Sequence, residues 1–267
     1  MSEIVRGLRE SRRYRSLTEP ALVRVARWAA RTHGGRQPAL KAAKRKLHQV
    51  YGAYLSPGAV AAAERAAMLI EGGARGDAEE RELCLDVLRQ HASTAERLPF
   101  LDRFCSDLTA GLPPVRSVLD LACGLNPFAL PWMALPAGAS YLAVDVDERL
   151  AKVFDHLGGA WPVGLRGLAH DLTSGPPEAT AEMVLLLKAI PCLEQEEPGA
   201  GRRLLRSLDA PVVVVSFPAR SLGGREKGMR ETYDRMLREM VAGSGRGIEV
   251  RSYPTETVYW LVRNGGG

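Results

Sequence analysis

The run Ser117-Val-Leu-Asp-Leu-Ala-Cys-Gly-Leu-Asn-Pro127 carries an apolar strand straight into a turn of small residues. A second strand, Tyr141-Leu-Ala-Val-Asp145, ends in an acid 21 residues after Gly124. Small residues let the backbone approach a ligand, and an acid at the next strand end accepts from two ribose hydroxyls. Ala122, Gly124 and Asn126 occupy the positions where a dinucleotide fingerprint carries glycines. Pro127 and Pro131 interrupt the stretch that would aim a helix N-terminus at a pyrophosphate. A ribose without phosphates fits this chemistry, which points to S-adenosylmethionine.

In an open α/β sheet the ligand lies outside the carboxyl ends of the strands, so each later end adds a candidate. His170-Asp171-Leu172 offers an acid for an adenine amino group and an apolar cover for the ring. Lys188-Ala-Ile-Pro-Cys-Leu-Glu194 and Ser216-Phe-Pro-Ala-Arg220 follow the next two strands. Asp145 is preferred to Asp147 for the ribose because it closes the strand. Cys123 reads as a small turn residue and His170 as structural. Pro191-Cys192 sits where a cytosine-C5 methyltransferase keeps its thiolate nucleophile, which leaves a pyrimidine-C5 RNA methyltransferase as an alternative. Met229, Tyr233, Met236, Leu237 and Met240 recur at helical spacing and are read as core.

These residues need two kinds of support. Residues 1–110 read as helical. Helices are expected after Thr18, from Pro38, over 59–71 up to Gly72-Gly73, and from a cap at Asp77 to about His91. Ser93-Thr-Ala-Glu96 has the form of a capping box, and Pro99 restarts a further helix. From residue 111 the pattern changes to strands at 117–121, 141–145, 164–169, 183–187, 212–216, 247–252 and 257–263. Five fit a parallel, doubly wound order and the last two an antiparallel hairpin. The expectation is an α/β fold: a class I (Rossmann-like) methyltransferase core at 111–267 behind a helical N-terminal RNA-binding domain at 1–110.

Charge supports that division. Net charge is +5 over 267 residues. Residues 1–50 hold 13 Lys/Arg against 3 Asp/Glu, a local excess of ten, so the other 217 residues carry −5. A basic helical module suits a polyanion, with Lys41, Lys44, Arg45 and Lys46 as candidate RNA contacts. No apolar run approaches the roughly 20 residues of a membrane span. Without an apolar leader at the N-terminus, a cytoplasmic location is expected. Four cysteines without Cys-x-x-Cys or Cys/His spacing predict neither disulfide nor metal site.

The chain resembles the aminoglycoside-resistance methyltransferases that modify N7 of guanine 1405 of 16S rRNA in the 30S subunit, those of antibiotic-producing actinomycetes especially. The resemblance is carried by Ser11-Arg-Arg-Tyr14, Lys46-Leu-His-Gln-Val-Tyr-Gly-Ala-Tyr-Leu55, His91-Ala-Ser-Thr-Ala-Glu-Arg-Leu-Pro99, Asp120-Leu-Ala-Cys-Gly-Leu-Asn-Pro127, Leu185-Leu-Leu-Lys-Ala-Ile-Pro-Cys-Leu-Glu194 and Ser216-Phe-Pro-Ala-Arg-Ser-Leu-Gly-Gly-Arg-Glu-Lys-Gly-Met229. It implies that Arg97 grips the methionine carboxylate of the cofactor, as a guanidinium suits a bidentate pair. It implies that Lys188, Glu194, Arg225 and Glu256 meet the target nucleotide, Glu194 or Glu256 accepting from guanine N1–H and the 2-amino group. It also implies resistance to kanamycin and gentamicin. Ala95, where a basic residue can occur, and Gly223-Gly224 depart from the pattern. The expected partner is 16S rRNA within the 30S subunit, met by a monomer. A non-catalytic ribosome-binding protein that keeps the fold is the rival of another class.

Overall fold

The computed structural model describes residues 1–73, 77–219 and 228–263. Helices α1 (Ser2–Arg9), α2 (Glu19–Thr32) and α3 (Arg36–Leu47) come first. Pro20 occupies the first turn of α2, where its missing N–H costs nothing. A π-turn, His48–Gly52, extends α3. Then follow α4 (Ala59–Glu71), α5 (Asp77–Leu88), α6 (Ala92–Ala95) and α7 (Leu101–Thr109). The strands are β1 (Ser117–Leu121), β2 (Ser140–Asp145), β3 (Gly164–Ala169), β4 (Met183–Leu187), β5 (Val212–Pro218), β6 (Arg246–Ser252) and β7 (Glu256–Arg263). Between them lie α8 (Glu148–Leu157), α9 (Ile190–Glu196), α10 (Ala200–Ser207) and α11 (Met229–Val241).

The seven strands run in the order β3-β2-β1-β4-β5-β7-β6. Pairs from β3 through β5 are parallel, and β7 lies antiparallel to both β5 and β6. Every expected strand is present, six of them to within a residue at each end and β5 running two residues further than expected, to Pro218. The all-apolar Met-Val-Leu-Leu-Leu of β4 is buried throughout, as a parallel strand covered on both faces must be. The order reverses between β1 and β4, which places a crevice at the carboxyl ends of those strands.

Three apolar clusters hold the molecule. One face of the sheet packs with α4, α5, α7 and α8, through residues such as Ala63, Leu88, Phe104 and Phe154. The other face packs with α9, α10 and α11. Ile4, Leu8, Leu22, Val25, Ala43 and Leu47 close a separate core among α1, α2 and α3. That third unit is pinned to the sheet by backbone bonds: Thr18 N donates to Val146 O at 3.0 Å, and Glu148 N to Ser16 O at 2.9 Å.

Two local expectations differ. Asp77 is the first residue of α5, which ends at Leu88 rather than near His91. The capping box at Ser93–Glu96 does not form: His91 is the N-cap of α6, and no side chain caps it. Thr94 Oγ1 instead donates back to Leu88 O at 2.6 Å, and the Glu96 carboxylate takes a lysine partner. A charged partner outcompetes a backbone N–H for a carboxylate.

Gly167 of β3 has no room for a side chain, because an added Cβ would sit 1.9 Å from the Ala151 carbonyl oxygen of α8. Gly167→Ala should therefore push α8 off the sheet. We expect a loss of about 3 kcal/mol, read as a lowered urea midpoint.

Candidate functional site

The site begins with two backbone conformations. Among the described residues, only Ala122 (φ 55°) and Lys188 (φ 58°) are non-glycine residues with positive φ. They follow β1 and β4, the two strands that flank the topological switch. Strain of this kind costs about 1–3 kcal/mol per residue and persists only where the surroundings enforce it. Gly124 (φ 53°) completes the turn, and an added Cβ there would sit 2.8 Å from the His91 ring. The turn and β4 thus bend around a cleft enclosing about 960 Å³, its mouth included. Ala122, Cys123, Gly124, Asp145, Asp171, Leu172, Lys188 and Arg97 all line it.

Asp145 stands mid-cleft. Its Oδ2 accepts from Gly124 N and its Oδ1 from Asp147 N, both at 3.0 Å. Burial pushes its carboxyl up to about 6, against the pull of those N–H donors. Asp147, the alternative ribose acid, is instead the N-cap of α8 and is held by Arg149 and by the Tyr51 hydroxyl.

Arg97 is 1% exposed, yet it borders the cleft. Its Nε and Nη2 donate to the two oxygens of Glu256 at 2.6 and 3.0 Å, and Nη1 donates to Asn126 Oδ1 at 3.1 Å. Asn126 donates on to Asp120 Oδ2 at 2.9 Å, which also receives the Tyr141 hydroxyl at 2.6 Å. Ser216 Oγ donates to Glu256 Oε2 at 2.9 Å and accepts from the Lys188 backbone N–H at 3.1 Å. Burial works to raise the Glu256 carboxyl, and the Arg97 guanidinium outweighs it, holding the acid below its usual range.

At the β3 end, Asp171 receives Arg24 of α2 through Nε at 3.0 Å and Nη2 at 3.2 Å. Glu196 pairs with the same guanidinium. Leu172 is buried beside them. His170 also lines the cleft, and its Nε2 lies 2.9 Å from Gly175 O, a structural contact.

Two candidates for the target nucleotide lie elsewhere. Glu194 spends its carboxylate on backbone N–H groups at the start of α10, from Gly199 at 2.7 Å and Arg202 at 3.3 Å. Glu194 is not among the residues that line the cleft. Glu256 is fully buried behind Arg97 and Ser216, so it has no free oxygen for a base. The family resemblance had implied a nucleotide contact for both, and in the fold their carboxylates are engaged within the protein. Arg225 lies outside the described residues. Lys188 does stand at the cleft, where its Nζ donates to Glu96 Oε2 at 2.6 Å.

Tyr51, Tyr54, His91, Asn126 and Glu196 also form the site without having been assigned a role from sequence. The available signal for Tyr51, Tyr54 and His91 was their placement in the segments around 46–55 and 91–99, and for Asn126 its place in the run 120–127; Glu196 lies just beyond the run 185–194. Of the residues read as core, Leu237 and Met240 are buried and Tyr233 and Met236 pack against them, while Met229 and Tyr233 also line a second cleft, with Tyr233 stacked on Phe217 at 4.8 Å. Cys192 lies in the wall of the first cleft, its Sγ 3.3 Å from the Tyr54 hydroxyl, and burial pushes its thiol up.

The donor set suits S-adenosylmethionine: a guanidinium for a carboxylate, a buried acid for a ribose, and apolar cover with an acid at the adenine end. Fold and site together define a class I S-adenosylmethionine-dependent methyltransferase. The chain belongs to the ribosomal RNA methyltransferase (FmrO) family, whose match spans residues 10–260. It is 39% identical to a 16S rRNA (guanine(1405)-N(7))-methyltransferase of Frankia casuarinae, over 95% of this chain and 90% of that protein. It is 38% identical to one of Micromonospora olivasterospora, over 94% of this chain and 84% of that protein. Among solved structures it resembles the 16S rRNA methyltransferase RmtF in complex with S-adenosyl-L-homocysteine, with a TM-score of 0.84, 30% identity and 98% of each chain covered.

Cofactor affinity should fall as pH is lowered through about 6, where the buried Asp145 carboxylate takes up a proton and loses an acceptor for ribose. Asp145→Asn should bind more weakly at pH 7.5 and lack that component of the pH dependence. Calorimetric titration with S-adenosyl-L-homocysteine between about pH 5 and 8 checks both.

Proposed function

We propose that this protein methylates N7 of guanine 1405 of 16S rRNA within the 30S subunit, acting as a cytoplasmic monomer and giving resistance to kanamycin and gentamicin. The carrying observation is a cofactor cleft that shares a wall with a second open cleft, so that a base in one faces a methyl donor in the other. Relatives named for guanine 1405 N7, similar over nearly the whole chain, supply the target.

When bound, S-adenosylmethionine supplies an activated methyl group on a positively charged sulfur. Guanine N7 carries an in-plane lone pair, so no proton has to be removed before it attacks. The work left to the chain is positioning and exclusion of water. Arg97, free to use Nη1 by releasing Asn126, holds the carboxylate end, while Asp145 holds the ribose. Asp171 and Leu172 border the adenine. The target lies in folded rRNA, so the base is flipped outward to reach the cleft.

Residues 1–110 serve this reading as the rRNA-binding region, ahead of the methyltransferase domain at 111–267. Lys41 and Arg45 are exposed, and Lys44 half-exposed, on α3. No ion pair engages these three among the described residues. Lys46 differs, because its Nζ sits 4.2 Å over the Trp28 ring, and it contributes more to packing than the others. The pyrimidine-C5 alternative fares poorly, since a buried thiol hydrogen-bonded to a tyrosine is not the thiolate that chemistry requires.

Purified 30S subunits incubated with the protein and labelled cofactor should gain one methyl group at guanine 1405, located by primer extension or mass mapping. Cys192→Ser should retain most of this activity, and expression in a susceptible bacterium should raise its tolerance of gentamicin. Methylation at another nucleotide, or complete loss in a folded Cys192→Ser variant, would refute the assignment.

Replacing Lys41, Lys44 and Arg45 with Glu should weaken 30S binding while leaving cofactor affinity intact. The log–log salt slope of filter binding should fall by about 0.7–0.9 for each phosphate contact removed.

A further inference from the structure

The second cleft encloses about 1090 Å³ of open space and shares Tyr54, Ser93 and Lys188 with the cofactor cleft. Its other walls combine flat or apolar groups, Tyr233, Pro191 and Met229 among them, with the polar His48, Gln49 and Gln195, and they hold one acid. That acid is Glu96. Its Oε2 accepts from Lys188 Nζ at 2.6 Å, its Oε1 bonds to nothing among the described residues, and its side chain is 41% exposed.

A carboxylate is misplaced on a surface that meets only phosphates, because it repels them. Beside a lysine it has a different use. The Lys188–Glu96 pair presents a donor next to an acceptor at the mouth of a cleft with aromatic walls. The Watson–Crick edge of guanine is the complement: an acceptor at O6 followed by donors at N1–H and the 2-amino group. Adenine presents a donor and then an acceptor, and would face both groups wrongly.

We propose that Lys188 and Glu96 read the Watson–Crick edge of the flipped target guanine, Lys188 Nζ donating to O6 and Glu96 accepting from N1–H and the 2-amino group. O6 and N7 are neighbours on the purine. Anchoring O6 at Lys188, in the wall common to both clefts, therefore turns N7 toward the cofactor. Tyr54 and Tyr233 offer faces on which the base stacks. Glu96 takes the place that the family resemblance had given to Glu194 or Glu256, whose oxygens are spent inside the protein. The proposal rests on the guanine-N7 reading above.

The test uses full-length Glu96→Gln and Glu96→Ala with intact 30S subunits, and with 30S subunits reconstituted around 16S rRNA carrying inosine, which lacks the 2-amino group, at the target. Single-turnover methylation of guanine should slow about 10- to 100-fold in both variants, the range expected for losing charge-assisted hydrogen bonds. Affinities for the 30S subunit and for S-adenosyl-L-homocysteine should stay within about twofold. The wild type should methylate inosine about tenfold more slowly than guanine, and Glu96→Ala should lose that preference. An unchanged rate, a preserved guanine-over-inosine preference, or a rate loss matched by lost cofactor affinity would each overturn the role of Glu96. A wild-type protein that methylates no guanine N7 would instead bring down the functional reading beneath it.

Discussion

Arg97 and Glu256 lie 159 residues apart and meet where neither is more than 1% exposed. Their pairing is the constraint on which the site depends. Two charges removed from water need nearly complete satisfaction, and breaking such a pair by deleting one partner costs about 3–5 kcal/mol. Here satisfaction comes from the surroundings: Asn126 and Ser216 bond the pair, and the Phe104 ring lies 4.2 Å from the guanidinium. The result is a rigid link between the segment after α6, the β1 turn, the end of β5 and the start of β7. Lys188 joins it through its backbone, so the strained conformation after β4 is anchored to the same network.

Much of the sheet was legible in the sequence because its strands are short apolar runs bounded by turns, and a hairpin at the end fixes the mixed order. Gly124 and Asp145 were legible for a simpler reason. Their contact is local to two adjacent strand ends, so spacing alone specifies it. Glu194 and Glu256 were not, because a carboxylate's direction depends on what it meets across the fold. The N–H groups starting α10 capture one, and a buried guanidinium captures the other. The capping box failed for a related reason: Glu96 had the right spacing for a backbone N–H, but Lys188 approaches from 92 residues away. Arg24 was invisible in the same sense, as nothing near it in sequence announces a partner at Asp171.

The helices before the sheet divide by packing. α4, α5 and α7 share a core with the sheet, whereas α1, α2 and α3 keep their own. The π-turn at His48–Gly52 lies where these two groups meet, and its neighbourhood supplies Val50, Tyr51, Tyr54 and Leu55 to the cofactor cleft. π-turns inside helices occur often at functional sites, and this one converts a basic helix into a cleft wall within a few residues. The charge asymmetry in the sequence thus reflects an architecture in which the basic helices lie against the cofactor site.

The reach of Arg24 into Asp171 and Glu196 gives that architecture a consequence for how such enzymes can be rebuilt. Two acids of the cleft, Asp171 and Glu196, share one guanidinium from a helix of the outlying core. Remove α1 through α3, and both carboxylates lose that common counter-ion. The basic helices are therefore not a detachable address label. A chimera that carries them to another class I core must carry matching acids after its third strand and on the helix after its fourth, or leave a guanidinium stranded at the seam.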